Sequence, residues 1–199
     1  RTSADIEERL SEIRSNLPAG YTMDLDGEVS VMRSSFANLG LGLFLALLFA
    51  YLIVVPLFRS FRQPVGMLIA FPPALAGVVG LLYVTGTPLS IQALMGSIMV
   101  VGITVSYGNL LVDRINKLRT EGMSLEEALT EGSRQRLRPI IMTALTTVLG
   151  LLPTAIGFGG SSINEPLALA VIGGTSMAAL LTLYVVPVGY RFFSKPELK

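Results

Sequence analysis

The stretch "IQALMGSIMVVGITVSYGNLLV", residues 91–112, contains no charged side chain and decides the class of fold. A helix of about 20 apolar residues crosses the hydrocarbon core of a bilayer, which is about 30 Å thick. A helix on the surface of a soluble protein carries charged residues along its outer face, so this stretch predicts a transmembrane helix. Four polar residues nevertheless stand near its end: Thr104, Ser106, Tyr107 and Asn109.

Four long segments of the chain lack Asp, Glu, Lys and Arg, namely 34–58, 63–112, 139–164 and 166–190. The second segment is long enough for two crossings, which "TGTPLS" at 85–90 separates. The sequence therefore predicts an α-helical membrane protein with five transmembrane helices, near residues 37–57, 65–84, 91–112, 140–157 and 168–190.

Composition narrows the classes of function. The net charge of +1 gives no basic surface for nucleic acid, and we expect the lipid bilayer to be the main environment. The chain has no His and no Cys, which removes the usual nucleophile–base pairs and the usual metal ligands. We therefore expect neither an enzyme nor a metal or cofactor site.

Positive charge predicts the orientation in the membrane. Arg59 and Arg62 lie between the first two predicted spans, six more Arg and Lys lie between the third and fourth, and three follow the fifth. Since cytoplasmic loops are enriched in Lys and Arg, these loops and the tail 194–199 are expected in the cytoplasm, and residues 1–35 outside. An outer N-terminal segment that begins at Arg1 without a signal peptide leads us to expect an upstream span or signal.

Two segments outside the spans have patterns of their own. Residues 6–17 repeat Ile and Leu at helical spacing, and 21–25 alternate like a strand, so residues 1–35 predict a short α/β piece of a larger domain. Ser124 and Glu127 form a capping-box pattern, which predicts a cytoplasmic linker helix within 114–138. The transmembrane bundle with this linker is expected to occupy residues 36–193.

Glycines and prolines predict close packing and bends within the spans. Small residues let helix backbones approach closely in a membrane, and proline frees a carbonyl and kinks a helix. The residues expected to act in this way are Gly40, Gly42, Pro72, Pro73, Gly173 and Gly174.

Four motifs occur in order, and together they resemble a known family. They are "TGTPLSIQALMGSIMVVGI", "LLVDRINKLRTEGMSLEEAL", "RQRLRPIIMTALTTVLGLLP" and "PLALAVIGGTSMAALLTLYVVPV". The chain is similar to the C-terminal membrane half of the resistance–nodulation–division (RND) transporters, in the hydrophobe/amphiphile efflux branch. By this resemblance the five spans correspond to spans eight to twelve, and residues 1–35 to the end of a periplasmic porter domain.

The resemblance implies a function and partners. Members are driven by the proton motive force in the bacterial inner membrane, export hydrophobic or amphiphilic compounds as antiporters, and contribute to multidrug resistance. They form homotrimers, and many dock to a periplasmic adaptor and an outer-membrane channel. This chain would need the N-terminal half of the transporter, and on its own we expect it to transport nothing.

The resemblance also implies candidate residues for a proton relay. A Lys in the tenth span of the family corresponds to Ser106, and an Arg and a Thr near the eleventh correspond to Arg136 and Thr143. Ser cannot pair with a carboxylate as a cation does, which would favour the protonated form of any facing acid. We therefore expect Ser106, Tyr107 and Asn109 to line a polar path, although packing between helices would explain the same residues.

Two other functions fit parts of the pattern. The Asp-Arg pair in "VDRI" also occurs in protein-translocation accessory subunits of the same superfamily. The spans contain no buried carboxylate, which would suit a half-size scaffold or regulatory subunit. An acidic residue on a partner, close to Ser106, would favour the transporter.

Overall fold

The computed structural model describes residues 28–58, 69–158 and 162–193. The chain divides into two compact units, Arg1–Asn38 and Leu39–Lys199, and the contacts below belong to the second. The helices are α1 (Glu28–Phe58), α2 (Phe71–Thr85), α3 (Ile91–Thr120), α4 (Leu125–Ala155) and α5 (Glu165–Phe193), with a single 3-10 turn at Ser162–Asn164.

The predicted α-helical membrane fold is confirmed. Within the described residues, α1, α3, α4 and α5 are long and apolar enough to cross a membrane. The second predicted span, near 65–84, corresponds to α2, which has 15 residues and starts at Phe71. The start of that span, the predicted helix at 6–17, the strand at 21–25 and the tail 194–199 lie outside the described residues.

The expected linker helix at 114–138 is not one helix. Residues 114–120 continue α3, a turn follows at 121–124, and residues from 125 onward begin α4. Each helix continues from the apolar part of the span into its charged end; in α4 the junction holds Pro139, which has no N–H to donate but lies within the helix. The change from apolar to charged residues therefore marks the end of the apolar segment and not the end of the helix.

The turn between α3 and α4 has well-defined ends. Gly122 has a φ of 96°, a conformation that glycine adopts without strain. The predicted capping box is confirmed: Glu127 donates its backbone N–H to Ser124 Oγ at 3.4 Å, and Glu127 Oε2 accepts from the Ser124 N–H at 3.2 Å. Hydrogen bonds from the side chain and backbone of Ser124 lower the pKa of Glu127 below its ordinary value.

Helix α5 lies at the centre of the helix packing, with α2, α3 and α4 packed against it. Its buried positions include Ala168, Ala170, Ala178 and Ala179, which share one apolar cluster with residues of α2, α3 and α4. Helix α1 is packed less closely, and its exposed apolar side chains include Leu41, Phe44, Leu48, Phe49, Leu52, Ile53 and Leu57.

Glycine allows these helices to approach closely. A Cβ at Gly77 of α2 would lie 2.5 Å from the carbonyl oxygen of Gly173, and a Cβ at Gly96 of α3 would lie 2.8 Å from that of Leu167. A Cβ at Gly174 would lie 2.5 Å from Val100 Cγ2. Since lipid tails are as apolar as the side chains, such van der Waals contact is a main source of helix association in a membrane.

The other glycines and prolines of interest lie in different surroundings. In the described structure, a Cβ at Gly40 would meet no atom within 4 Å, and a Cβ at Gly42 would meet only Ile98 Cδ1, at 3.6 Å. The sequence predicts a kink at Pro72 and Pro73, but the two residues occupy the first turn of α2. The N–H groups of the first turn have no acceptor within the helix, so a proline there removes no helical hydrogen bond. These prolines therefore start α2 and do not bend it.

We predict that Gly77→Val will destabilise the helix packing, because its side chain would overlap the Gly173 backbone, which cannot move away as a flexible side chain can. Overpacking of this kind costs about 1–3 kcal/mol. Gly80→Val is the matched control, since a Cβ at this position of the same helix would meet no atom of the described residues within 4 Å. Thermal unfolding of the purified protein measures both; equal midpoints would contradict the packing described here.

Candidate functional site

Helices α3 and α4 form an antiparallel pair with a defined register. A Cβ at Gly132 of α4 would lie 2.8 Å from Ile115 Cγ1 of α3. On the exposed side of the same pair, Arg114 Nε donates to Gln135 Oε1 at 2.5 Å, and Gln135 Nε2 donates to Glu131 Oε1 at 2.8 Å. These contacts fix which residues of the two helices lie at the same height.

The register brings Ser106 and Thr143 to one level. Ser106 precedes Arg114 by eight residues (114 − 106), and Thr143 follows Gln135 by eight (143 − 135). A rise of about 1.5 Å per residue puts both about 12 Å from the Arg114–Gln135 bond. Both side chains are exposed on the outside of the described helices. We call these two residues the hydroxyl pair.

Each member of the hydroxyl pair is bonded to its own helix. Ser106 Oγ donates to the Gly102 carbonyl at 2.9 Å, and Thr143 Oγ1 donates to the Pro139 carbonyl at 2.9 Å. A hydroxyl that donates in this way keeps two lone pairs free to accept a hydrogen bond. Each hydroxyl therefore presents an acceptor to whatever covers its side of the helix.

Arg136 lies on the inward stripe of α4. The stripe runs at four-residue spacing, and its other members are buried: Ala128, Gly132, Ile140 and Ala144. Arg136 is half-buried, and its Nε has no hydrogen-bond partner among the described residues. By the same register it stands level with Asp113 of α3, whose side chain is exposed. Arg136 thus brings a fixed positive charge about two turns from the hydroxyl pair.

The polar residues of α3 do not line one path. Thr104 is buried and donates to the Val100 carbonyl at 2.8 Å, whereas Ser106 is exposed. Tyr107 is buried, and its hydroxyl has no partner within the described part of the chain. Asn109 is half-buried, and its Oδ1 has no partner among the residues that the structure describes. Successive residues of a helix are turned by about 100°, so a run of polar residues spreads around the helix.

The structure adds polar groups that the sequence patterns did not single out. Thr175 and Thr182 of α5 are fully buried, and neither hydroxyl has a partner among the described residues. Tyr190 donates its hydroxyl to Asn116 Oδ1 at 2.6 Å, which joins α5 to α3. The sequence does contain one signal for these two threonines. They are seven residues apart (182 − 175), a spacing that places both on one face of α5.

No group of three or more His, Cys, Asp or Glu able to hold a metal ion occurs among residues 28–58, 69–158 and 162–193. Three Glu side chains, Glu126, Glu127 and Glu131, line a shallow surface depression with Met123 and Thr130. Glu126 pairs with Arg191 of α5 at 3.3 Å, an exposed ion pair of the kind worth at most about 1 kcal/mol.

Comparison with known proteins gives consistent matches over nearly the whole chain. The model of the AcrB/AcrD/AcrF family matches residues 1–194. The cobalt-zinc-cadmium resistance protein CzcA of Cupriavidus metallidurans is 38% identical over 182 residues, which is 91% of this chain and 17% of that protein. The multidrug resistance protein MdtC of Erwinia tasmaniensis is 32% identical over 197 residues, 98% of this chain and 19% of that protein.

A solved structure shares the fold as well. The crystal structure of a heavy metal efflux pump superposes with a TM-score of 0.75 at 29% identity, covering 96% of this chain and 19% of the pump. Because the matches cover 17% and 19% of these relatives, the chain spans less than a fifth of their length.

The register predicts that Ser106 and Thr143 stand at the same height on neighbouring helices. The chain has no cysteine, so Ser106→Cys with Thr143→Cys is a clean background for cross-linking. We expect a bifunctional thiol reagent long enough to reach around two helices to join these cysteines in higher yield than a pair at different heights. Ser106→Cys with Thr154→Cys is the control, because Thr154 lies three turns further along α4. Equal yields from the two pairs, or a higher yield from the control, would contradict the register.

Proposed function

Because this chain belongs to the AcrB/AcrD/AcrF family of the RND superfamily, we propose that it is part of an efflux transporter driven by the proton motive force. The resemblance drawn from the four motifs is confirmed at the level of the superfamily. One of the two relatives is named for resistance to metals and the other for resistance to multiple drugs. Membership of the narrower hydrophobe/amphiphile branch is therefore part of what we propose.

The observation that carries the proposal is that both hydroxyls of the pair are exposed, at one height on the neighbouring helices α3 and α4. Much of the exposed surface of these helices is apolar, as Met95, Met99, Met142, Leu145 and Leu149 illustrate. Polar groups in a membrane are costly when they face lipid, and they usually face another helix or a water path. We infer that helices of the N-terminal half of the transporter cover the pair.

The proposed role of the pair is to pass protons along the interface between the two halves. A hydroxyl accepts a hydrogen bond through one lone pair while it donates another, so it relays a proton without a change in its own charge. Arg136 adds a positive charge that favours ionised carboxylates nearby. Asn109 borders this region, and its unpartnered Oδ1 is a further acceptor for water.

Position 106 carries Ser and not a cation, which affects the pKa of any carboxylate that faces it in the proposed mechanism. A carboxylate on the covering half would have no ammonium group beside it, so its pKa would be set by the hydroxyls, by water and by the more distant Arg136. Such a carboxylate would hold its proton to higher pH than one paired with Lys. The proton would be released only when the carboxylate becomes hydrated or moves toward Arg136.

The orientation and assembly are part of the same proposal. The Arg- and Lys-rich loops and the C-terminus would face the cytoplasm, and residues 1–35 would end a periplasmic porter domain of an inner-membrane protein. The intact protein would assemble as a homotrimer and work with a periplasmic adaptor and an outer-membrane channel. The exposed apolar face of α1 would meet lipid or another part of this assembly.

The proposed substrates are hydrophobic or amphiphilic compounds, and divalent metal ions are the second candidate because CzcA and the solved pump bear metal-related names. A strain that lacks the intact gene should become sensitive to detergents and lipophilic drugs if the first is correct. Sensitivity confined to cobalt, zinc and cadmium salts would favour the second. Unchanged sensitivity to every compound would favour a scaffold or regulatory subunit.

We predict that Ser106→Ala combined with Thr143→Val will reduce efflux at least tenfold in the intact transporter, because the proton path loses both hydroxyls. Resistance of complemented cells to the exported compound measures the effect, with protein abundance in the membrane measured in parallel. Thr146→Val is the matched control: Thr146 is also exposed, and its Oγ1 donates to the Met142 carbonyl at 2.8 Å. Full resistance in the double variant would rule out this role.

A further inference from the structure

Helices α3 and α5 run parallel with one constant offset. A Cβ at Gly96 would lie 2.8 Å from Ala170 Cβ, and a Cβ at Gly174 would lie 2.5 Å from Val100 Cγ2. Near the other end, Tyr190 donates to Asn116 Oδ1 at 2.6 Å. In all three pairs the α5 residue number exceeds the α3 number by 74 (170 − 96, 174 − 100, 190 − 116). The offset puts Thr175 level with Val101, and Tyr107 level with Leu181.

Thr175 occupies an interior position of α5. It is fully buried and precedes Ala178 and Ala179 by about one turn, which places the three on one face of the helix. Those two alanines belong to the same buried cluster as Tyr107 of α3 and Ala144 of α4. The two residues before Thr175 give its direction: a Cβ at Gly173 would meet α2, and a Cβ at Gly174 would meet Val100 of α3 as well as α2. A further turn of about 100° takes Thr175 away from α2, toward α3 and α4.

Tyr107 reaches the same region from α3. Its side chain is 3% exposed and packs in the cluster that contains Ile140 and Ala144 of α4. Aromatic side chains on a helix lean toward its N-terminus, so the hydroxyl stands above the level of its own Cα. Of the two buried threonines of α5, Thr175 lies on the N-terminal side of the level of Tyr107 and Thr182 lies on the C-terminal side. The lean therefore takes the Tyr107 hydroxyl toward Thr175 and away from Thr182.

Both hydroxyls lack a hydrogen-bond partner among the described residues. Ser97 and Thr104 of α3, by contrast, donate to carbonyls one turn back, at 2.9 and 2.8 Å. A buried hydroxyl that makes no such bond loses its hydration without compensation. Since both are enclosed by their own helices, a partner protein cannot reach them, whereas a water molecule fits such a position when it has two or more polar contacts.

We propose that Tyr107 and Thr175 bind one internal water molecule at the junction of α3, α4 and α5, beside the small side chain of Ala144. The water bridges the two hydroxyls, and a main-chain carbonyl one turn before Thr175 offers a third contact through its second lone pair. This site lies inside the bundle, whereas the hydroxyl pair lies on its outer surface, so the proposal does not depend on transport.

The test is a double-mutant cycle on the intact protein in detergent, with the unfolding midpoint as readout. Tyr107→Phe and Thr175→Val each remove one hydroxyl with little change in shape. Each single variant is expected to lower the midpoint by about 2–4 °C. The double variant should lower it by clearly less than the sum, because both hydroxyls hold the same water. Thr175→Ser, which keeps the hydroxyl, should retain the water and most of the midpoint.

Two controls calibrate the cycle. Tyr190→Phe removes a direct bond to Asn116 and should lower the midpoint. Thr182→Val removes a second buried hydroxyl on the same face of α5, which also has no partner among the described residues. Its effect should be additive with that of Tyr107→Phe. Single variants that leave the midpoint unchanged or raise it would overturn the proposal, as would additive effects of Tyr107→Phe and Thr175→Val.

Hydroxyl-radical footprinting provides a second readout, because radiolysis of a bound water oxidises the side chains beside it. Tyr107 should be oxidised although it is buried, and Thr175→Val should reduce that oxidation severalfold. Tyr107 that stays unmodified, or is modified to the same extent in Thr175→Val, would show that no water is held between these two residues.

Discussion

The close approach of α5 to α2 and α3 is the constraint on which the rest of the structure depends. In lipid there is no hydrophobic gain from placing one apolar helix against another, so contact must come from surfaces that fit. Gly77 and Gly173 remove the side chains between α2 and α5, while Gly96 and Gly174 remove them between α3 and α5. With α5 held in this way, α4 packs against α3 and α5 and the relative heights of the polar residues follow.

The interpretation of the candidate site depends on these relative heights. Ser106 alone is a small polar residue in a span, for which packing is a sufficient explanation. The Arg114–Gln135 bond and the Ile115–Gly132 contact bring Thr143 to its level, and both hydroxyls are exposed. Two matched acceptors on an outer surface suit an interface with further helices better than they suit lipid. Tyr107, by contrast, is turned inward and belongs to a separate polar position inside the bundle.

The sequence predicted the features that depend on local composition. Apolar length located α1, α3, α4 and α5 as helices able to cross a membrane, and the pairing of Ser124 with Glu127 located the start of α4. It failed at 114–138, because charged residues suggested a separate linker where the structure continues α3 and α4. Pro72 and Pro73 lie in the first turn of α2, where proline is well suited to start a helix, and the part of the predicted span before residue 69 lies outside the described residues. Register between helices, and hence the partnership of Ser106 with Thr143, depends on distant contacts that no local pattern contains.

We propose that the hydroxyl pair carries protons in the assembled transporter. The most direct measurement is proton flux into liposomes that contain the intact protein, driven by an imposed pH gradient in the presence of the exported compound. We predict that Ser106→Ala with Thr143→Val abolishes the compound-dependent flux, while the Thr146→Val protein keeps it. A double variant with undiminished compound-dependent flux would contradict a role of the pair in proton transfer.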